Sequence, residues 1–317
     1  MSQSVPTVSV IVPCYNQGQY LDEAVGSILA QTYQSFEVIV IDDGSTDAET
    51  VKLLQNYQKP TVKVIHTDNR GPSAARNTGI QQAIGHYILP LDADDRIQPT
   101  YLEKAVNLLD RQPEVGIVYS QAEFFGTKTG LCNLPAYSFP GILVGNMIFN
   151  SSFYRKADWQ KVGGYRENMI HGWEDYDFWL SIVELGREVV QIPEPLYLYR
   201  QVPNSRSERL TRDRQITSYA QLFHNHPRLY SEHIDTLFQH LVELREDIHQ
   251  THSLLEKTRI EQAQTQTELV QTQGKLTHYQ NLLTAIQSSK FWKLRNQWVR
   301  FRKLLGLNPN HVVDDYL

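Results

Sequence analysis

The chain has 317 residues, 35 acidic against 30 basic side chains, a formal net charge of −5 and 41% hydrophobic residues. That composition can build a core and excludes wholesale disorder. The mild acidity excludes a general nucleic-acid binder, which needs a basic footprint. Two cysteines, Cys14 and Cys132, provide neither a disulfide framework nor a cysteine-based zinc site, so a reducing, cytoplasmic setting is expected. Met1 to Thr7 lacks the basic and long apolar regions of a secretory signal, and no 18-residue apolar run marks a membrane span.

In chain order, Val8–Val12 reads as a buried strand ended by Pro13, and 20–31 carries Leu21, Ala24, Val25, Ile28 and Leu29 at helical spacing. Strands are expected at 36–41, 62–65, 87–91 and 115–119, with helices at 48–57, 73–84 and 100–109 between them. Apolar strands alternating with helices imply a parallel, doubly wound sheet, and such sheets bind ligands beyond the carboxyl ends of their strands. Fifteen of the 17 glycines fall by Gly186 and 13 of the 14 prolines by Pro227, so the chain changes character after that. From Leu237 to Ile286, Leu, Ile and Tyr recur on a 3–4 spacing, with Thr251, Thr258, Gln262, Thr265 and Thr272 filling the middle of the same register. This is a heptad with a polar centre and predicts a coiled coil and a homo-oligomer, or else a lone or back-folded helix. Lys290–Leu307 has six basic residues, no acid, and Trp and Phe anchors on one face. It suits an anionic membrane surface, or alternatively packs on protein. The expected division is 1–215 catalytic domain, 216–236 helical linker, 237–289 coiled coil and 290–317 basic amphipathic helix and tail.

Three acidic clusters stand at ends of expected elements. Asp42-Asp43-Gly44-Ser45 follows the second strand and reads either as a turn or as a carboxylate for a base or ribose. Asp92, Asp94 and Asp95 follow the fourth strand. If the strand persists, Asp92 and Asp94 share a rim, and their mutual repulsion calls for a cation such as Mg²⁺ or Mn²⁺. The bland reading is an acidic approach to the next helix. Trp173-Glu174-Asp175-Tyr176-Asp177 opens another helix, either capping it or placing a carboxylate to take a proton from a hydroxyl. The loop from Arg70 to Asn77, with Arg70 and Arg76, has the chemistry to meet phosphate. Walker, G-x-S-x-G and H-E-x-x-H patterns do not occur.

In this order, VSVIVPCYNQGQYLDEAVGSILAQTY (8–33), FEVIVIDDGSTD (36–47), NRGPSAARNTGI (69–80), YILPLDADD (87–95) and, within 163–182, GGYREN and WEDYDFWLSI resemble glycosyltransferase family 2. The resemblance covers roughly 8–205. It implies the α/β GT-A fold, a Rossmann-like, mostly parallel sheet flanked by helices, here followed by the coiled-coil helix and the basic amphipathic helix. It implies an inverting, nucleotide-sugar-dependent enzyme that uses a divalent metal. By that resemblance Pro13 and Tyr15 border the nucleobase, Asp43 binds base or ribose, and Arg76 contacts the nucleotide. Asp92-Ala93-Asp94 is similar to the DxD motif, with Asp94 on the metal and Asp92 nearer ribose and metal. Asp175 is similar to the general base, with Glu174 orienting the acceptor, and Gly163-Gly164-Tyr165 matches the loop before that acidic helix. A UDP-sugar donor is the first expectation, with dTDP- and GDP-sugars open, and a glycan or lipid-linked acceptor follows for surface polysaccharide assembly.

The sequence departs from that pattern after Tyr199-Arg200, where many members carry a histidine near metal or diphosphate. Here Gln201-Val202-Pro203 follows, leaving Asn204, Ser205 or Arg206 as substitutes. The Q-x-x-R-W motif and membrane spans of processive synthases are absent, which favours single transfer. Two other readings stand beside this one: a nucleotidyltransferase, which would leave Glu174-Asp175 idle, and a coiled-coil scaffold with a silent nucleotide-binding domain.

Overall fold

A computed structural model describes residues 5–132, 134–202 and 211–305. Asn204, Ser205, Arg206 and the tail beyond Leu305 lie outside the described residues. The elements begin with β1 (Val8–Cys14), α1 (Gly18–Leu29), β2 (Phe36–Asp43), α2 (Ala48–Gln55) and β3 (Val62–Thr67). They continue with α3 (Pro72–Gln82), β4 (Tyr87–Pro90), β5 (Arg96–Ile97), α4 (Tyr101–Arg111) and β6 (Val115–Gly126). Then come β7 (Gly130–Cys132), α5 (Phe139–Ile142), β8 (Phe153–Arg155), α6 (Lys156–Val162), α7 (Glu174–Glu184) and β9 (Glu188–Gln201). Helices close the described chain: α8 (Arg212–Asn225), α9 (Pro227–Glu232), α10 (Ile234–Ser288) and α11 (Lys290–Leu304).

The strands form one sheet in the order β3-β2-β1-β4-β8-β6-β9-β5, with β7 added to β6. The β3-β2-β1-β4 half is parallel, as expected from the alternation of strands and helices. The other half is mixed: β6 and β9 run parallel, whereas β8 lies antiparallel between β4 and β6, and β5 lies antiparallel to β9. The sheet is therefore mixed rather than uniformly parallel. Strands of two or three residues hold too little of the period-two pattern to be read from sequence.

Strands β1 and β2 are mostly apolar because helices cover both faces, with Ser9 donating to Glu37 at 2.6 Å where polar side chains interrupt them. Val8, Val10, Val12, Val38 and Val40 join Leu21, Val25 and Ile28 of α1 and Leu102, Val106 and Leu109 of α4 in one core. Ile11, Ile39 and Ile41 face the other way, into a second core with Ala75 and Ile80 of α3 and Phe178, Trp179 and Ile182 of α7. Helix α3 comes very close to the sheet at Gly79, where an added Cβ would meet Ile11 Cγ2 at 2.7 Å and Ile41 at 3.2 Å.

The stretch expected as a linker, 216–236, contributes to this second core through Leu222, Leu229 and Tyr230. Leu237, which the heptad spacing includes, also packs against that core. The chain divides into two compact units at His240/Leu241. From Leu241 on, in the second unit, α10 and α11 are long exposed helices with no fully buried residue. Ser289 separates them, its side chain accepting from the Trp292 amide as an N-cap. Among the described residues no helix is long and apolar enough to cross a membrane.

Candidate active site

The carboxyl ends of β1, β2 and β4 meet at one side of the sheet, where a doubly wound topology leaves its crevice. Strand β1 delivers Pro13 and then Tyr15, whose ring is exposed, to the edge of a cleft of about 800 Å³. At the end of β2, Asp42 turns away from the cleft. It accepts from the Ser45 amide and pairs with His66 Nδ1 at 2.9 Å. Burial pushes its carboxyl up, but these partners outweigh burial and hold it below its ordinary value. Asp43 enters the cleft wall and accepts from the amides of Arg70 and Gly71, both at 3.0 Å. Burial raises Asp43 above the usual carboxylate value against the pull of those amides.

Those two amides lead into α3, whose N-cap is Gly71 at φ +85°, followed by Pro72. A left-handed backbone there is available to glycine at no steric cost. Since Asp43 already takes the Arg70 and Gly71 N–H groups, the phosphate role expected of this loop is partly filled from within the chain. Arg70 itself is exposed and paired with Glu167 at 2.9 Å. Arg76 differs more sharply from expectation. It is buried, and its guanidinium spans Asp92 (2.9 Å) and Glu174 (2.8 Å), so it links the two acidic clusters instead of presenting a free cation. Burial would weaken its charge, yet the two carboxylates keep it well above its ordinary pKa. Its Nε finds no hydrogen-bond partner among the described residues.

Strand β4 ends at Pro90, so the DxD segment is a turn and not a continued strand. Asp92 and Asp94 both line the cleft nonetheless. Ala93, expected at the donor, is fully buried in the first core, where its methyl anchors the turn. Asp94 is pushed up to about 6, first by burial and then by the neighbouring charge of Asp92. Asp95, the third acid, belongs to the fold: the Tyr197 hydroxyl and the Arg200 amide both donate to it. Arg200 is further held by its Nε bond to the Asp94 carbonyl at 2.7 Å and by Tyr20 and Phe125, over whose rings it lies.

Helix α7 brings the third cluster. Trp173, its N-cap, has φ +68°, a left-handed conformation that costs a bulky residue energy and that follows Gly172 at φ +115°. Its ring packs edge-on against Tyr219 at 4.7 Å, which holds the turn. The strained turn sends Glu174 inward to Arg76 and leaves Asp175 half-buried on the cleft wall, accepting from Asn146 Nδ2 at 3.1 Å. Asp175 is raised to about 6 by burial, with Glu174 adding to the effect. Asp177 points away, into a buried set with Arg166, Asn225 and His226. Gly163 and Gly164, the loop matched before this helix, both take positive φ, and Tyr165 is buried beneath Arg76.

The structure thus gathers Pro13, Tyr15, Asp43, Arg76, Asp92, Asp94, Glu174 and Asp175 around one cleft and leaves out Ala93. It adds residues that the sequence did not flag: Gln17, Asn146, Asn150, His171, Tyr197 and Tyr199. Asn150 donates to Asp92 at 3.1 Å, and its buried Oδ1 has no partner among the described residues. Asn146 and Asn150 come from a segment with no apolar periodicity, so nothing in their sequence context marked them.

The profile of Glycosyl transferase family 2 matches residues 9–161, and that of Glycosyl transferase family group 2 matches 87–255, more than half of the chain. This chain belongs to glycosyl transferase family 2. The family 2 chain is 30% identical over 188 residues to the chondroitin synthase of Escherichia coli, a match covering 57% of this chain and 27% of that protein. It therefore spans about a quarter of that relative's length. Among solved structures, S. aureus TarS 1-349 in complex with UDP-GlcNAc aligns with a TM-score of 0.54 and 20% identity, covering 74% of this chain and 79% of that one. The mannosyltransferase PcManGT from Pyrobaculum calidifontis, in complex with GDP-Man and Mn²⁺, aligns with a TM-score of 0.56 and 22% identity, covering 75% and 71%. The mixed sheet and its flanking helices are the GT-A fold.

Among the described residues no group of three His, Cys, Asp or Glu side chains is arranged to hold a metal ion. The chemistry of the pair Asp92 and Asp94 still fits one. Mg²⁺ and Mn²⁺ take hard carboxylate oxygens, and Mg²⁺ is commonly held by one or two of them together with substrate phosphates. Asp94, desolvated beside a second carboxylate, is the group that a cation would relieve most.

Proposed function

We propose that the chain is an inverting glycosyltransferase that moves one sugar from a nucleotide-diphosphate sugar to an acceptor hydroxyl in cell-surface polysaccharide or glycan assembly. The observation that carries this reading is Asp175, a half-buried carboxylate raised to about 6, on the wall of the cleft that Asp92 and Asp94 also line. A carboxylate with that basicity accepts a proton from a hydroxyl better than an ordinary aspartate does. Asn146 fixes the Oδ2 side of Asp175, and Glu174, tied to Arg76, sets the helix start that aims it.

The acceptor hydroxyl loses its proton to Asp175 as its oxygen bonds to the anomeric carbon from the face opposite the diphosphate. The bond from that carbon to the diphosphate oxygen breaks, and its electron pair leaves with the diphosphate. A single in-line displacement inverts the anomeric configuration. A divalent cation held by Asp94, with Asp92 beside it, would supply Lewis-acid stabilisation of the departing diphosphate. Pro13, Tyr15 and Asp43 occupy the cleft's nucleoside end, and Asp43, pre-set by two backbone amides, offers a fixed acceptor for a base N–H or a ribose hydroxyl. The complexes of related folds with UDP-GlcNAc and with GDP-Man and Mn²⁺ support a nucleotide-sugar donor and a divalent metal, with a uridine donor as the first expectation.

A thermal-shift panel with UDP, dTDP, GDP and CDP, with and without Mn²⁺, tests the reading. A ligand at about 100 times its Kd stabilises the native state by about 2.7 kcal/mol. One nucleotide is expected to raise the Tm in the presence of Mn²⁺, and Asp94→Ala is expected to lose that shift. Absence of a shift with every nucleotide would overturn it.

A further inference from the structure

Beyond the transfer reaction, we propose that α10 pairs with a second copy of this chain as a parallel, in-register coiled coil over residues 241–286. Leu241, Leu244, Ile248, Leu255, Leu269 and Leu276 are all exposed on this helix, which has no buried residue of its own. A single helix owes most of its stability to packing of an apolar face, and among the described residues this stretch of α10 buries none of its own. Every position on the 3–4 spacing from Leu241 to Ile286 is uncharged, although Glu243, Arg245, Glu246 and Asp247 crowd the turns between. Segregation of charge from a continuous stripe is the mark of a seam facing another helix.

The composition of the stripe selects both partner and direction. One set of alternating seam positions holds Leu or Ile throughout, apart from Gln262, whereas the other holds Thr251, Thr258, Thr265 and Thr272 in four successive heptads. In a parallel, in-register pair each position meets itself, so Thr layers stack on Thr, Leu on Leu, and Gln262 on Gln262. An antiparallel pair in which Gln262 faces Thr258 sets one kind of seam position against the other, and each of these threonines then faces Leu, Ile or Gln. A one-heptad slip would bury Gln262 against Leu255 or Leu269, and a polar core residue is a known means of fixing register. The hydroxyls of Thr258, Thr265 and Thr272 donate to carbonyls four residues back, so these side chains are satisfied within their own helix and offer methyl groups to a neighbour.

Light scattering on the purified full chain should give twice the single-chain mass of 36.6 kDa, and a larger assembly would overturn the pairing. Leu255→Asp with Leu269→Asp should return it to the single-chain mass while leaving the nucleotide-induced Tm shift in place. For direction, Leu241→Cys is oxidised and run on a non-reducing gel beside the wild type, which carries Cys14 and Cys132 as the background. In-register pairing predicts a new covalent dimer. An antiparallel coil would hold the two Leu241 positions roughly 60 Å apart, at 1.5 Å per residue, and give none. A single-chain mass for the wild type, or no added cross-link, overturns the proposal.

In α11 and its C-cap the exposed side chains Phe291, Leu294, Trp298, Phe301 and Leu305 recur at intervals of three and four, and Trp298 stacks on Phe301. Lys290, Lys293, Arg295, Arg300, Arg302 and Lys303 surround that stripe, with no acid between 290 and 305. We infer that this face docks on an anionic bilayer, because apolar anchors whose charged neighbours are all cations match an interface of acyl chains beneath negative headgroups. A second copy of α11 is a poor occupant, since it would bring six like charges. A parallel coil would gather the α11 helices at one end and let them bind together. The full chain should co-sediment with phosphatidylcholine vesicles containing phosphatidylserine, and far less with phosphatidylcholine alone. Salt should release it, and Trp298→Glu with Phe301→Glu should abolish the difference. Equal sedimentation with both vesicle types, or with neither, overturns the inference.

Discussion

Asp175 sits beside Glu174 in a desolvated wall, and these two causes place its pKa near 6 rather than near the aspartate value of 3.8. A base with a raised pKa works above that value and fails as pH falls through it. The acid limb of kcat/KM is therefore expected near pH 6, and a pH–rate profile in which activity persists to about pH 4 would remove Asp175 from the role of base. Asp175→Asn should lower kcat by about 10²–10⁴-fold, the range for a lost general base, while the nucleotide-dependent Tm shift survives. Asp175, Asp92 and Asp94 were all legible as candidates, because acids clustered at the ends of elements are conspicuous in one dimension. What Arg76 does was not legible. Its sequence neighbours are a glycine loop and a helix, and its partners Asp92 and Glu174 lie 16 and 98 residues away.

At the level of elements, α7 is gripped at both ends of its first turns. Its front carries Asp175, and its back carries Asp177, which accepts from Arg166 at 3.0 Å and from Asn225 at 2.6 Å and contacts His226. His226 is fully buried and also meets Glu184 at 3.0 Å. Burial alone would lower the His226 pKa, but Asp177 and Glu184 outweigh it and hold it above 6.5. A raised histidine contributes stability that is complete below the unfolded value and lost as pH rises through the folded one. Urea unfolding should thus show stability declining as pH rises above about 6.5. His226→Gln should remove that dependence and cost about 1–3 kcal/mol at pH 6, because the buried Asp177 carboxylate is left short of a partner. On the same face of the sheet as α7, Gly79→Ala should cost about 1–3 kcal/mol by forcing α3 off Ile11 and Ile41, measured as a lower urea midpoint at unchanged slope. The sequence marked α7 as an acidic, aromatic helix. That α8 and α9, read as a linker, brace it through His226 depended on a contact between residues 49 apart.

Across the whole molecule, the first compact unit runs to His240 and holds the entire cleft. A chain ending at His240 is expected to keep the nucleotide-dependent Tm shift of the full protein, and loss of that shift would show that 241–317 supports the cleft. Local pattern by itself determined a good deal here: the alternation of β1 to β4 and β6 with α1 to α4, the acidic positions at their ends, the heptad of α10 and the cation-ringed stripe of α11. Each of these is a regularity over neighbouring residues, where side-chain periodicity follows directly from backbone geometry. Tertiary structure alone decided the rest. It inserted the short β8 antiparallel between β4 and β6, turned Ala93 into the core, closed Arg76 between two carboxylates, and brought Asn146 and Asn150 to the acids. Those outcomes depend on contacts between residues far apart in the chain, whose identities carry no local periodic signal, and on burial, which sets the charge state of each group only once the chain has folded.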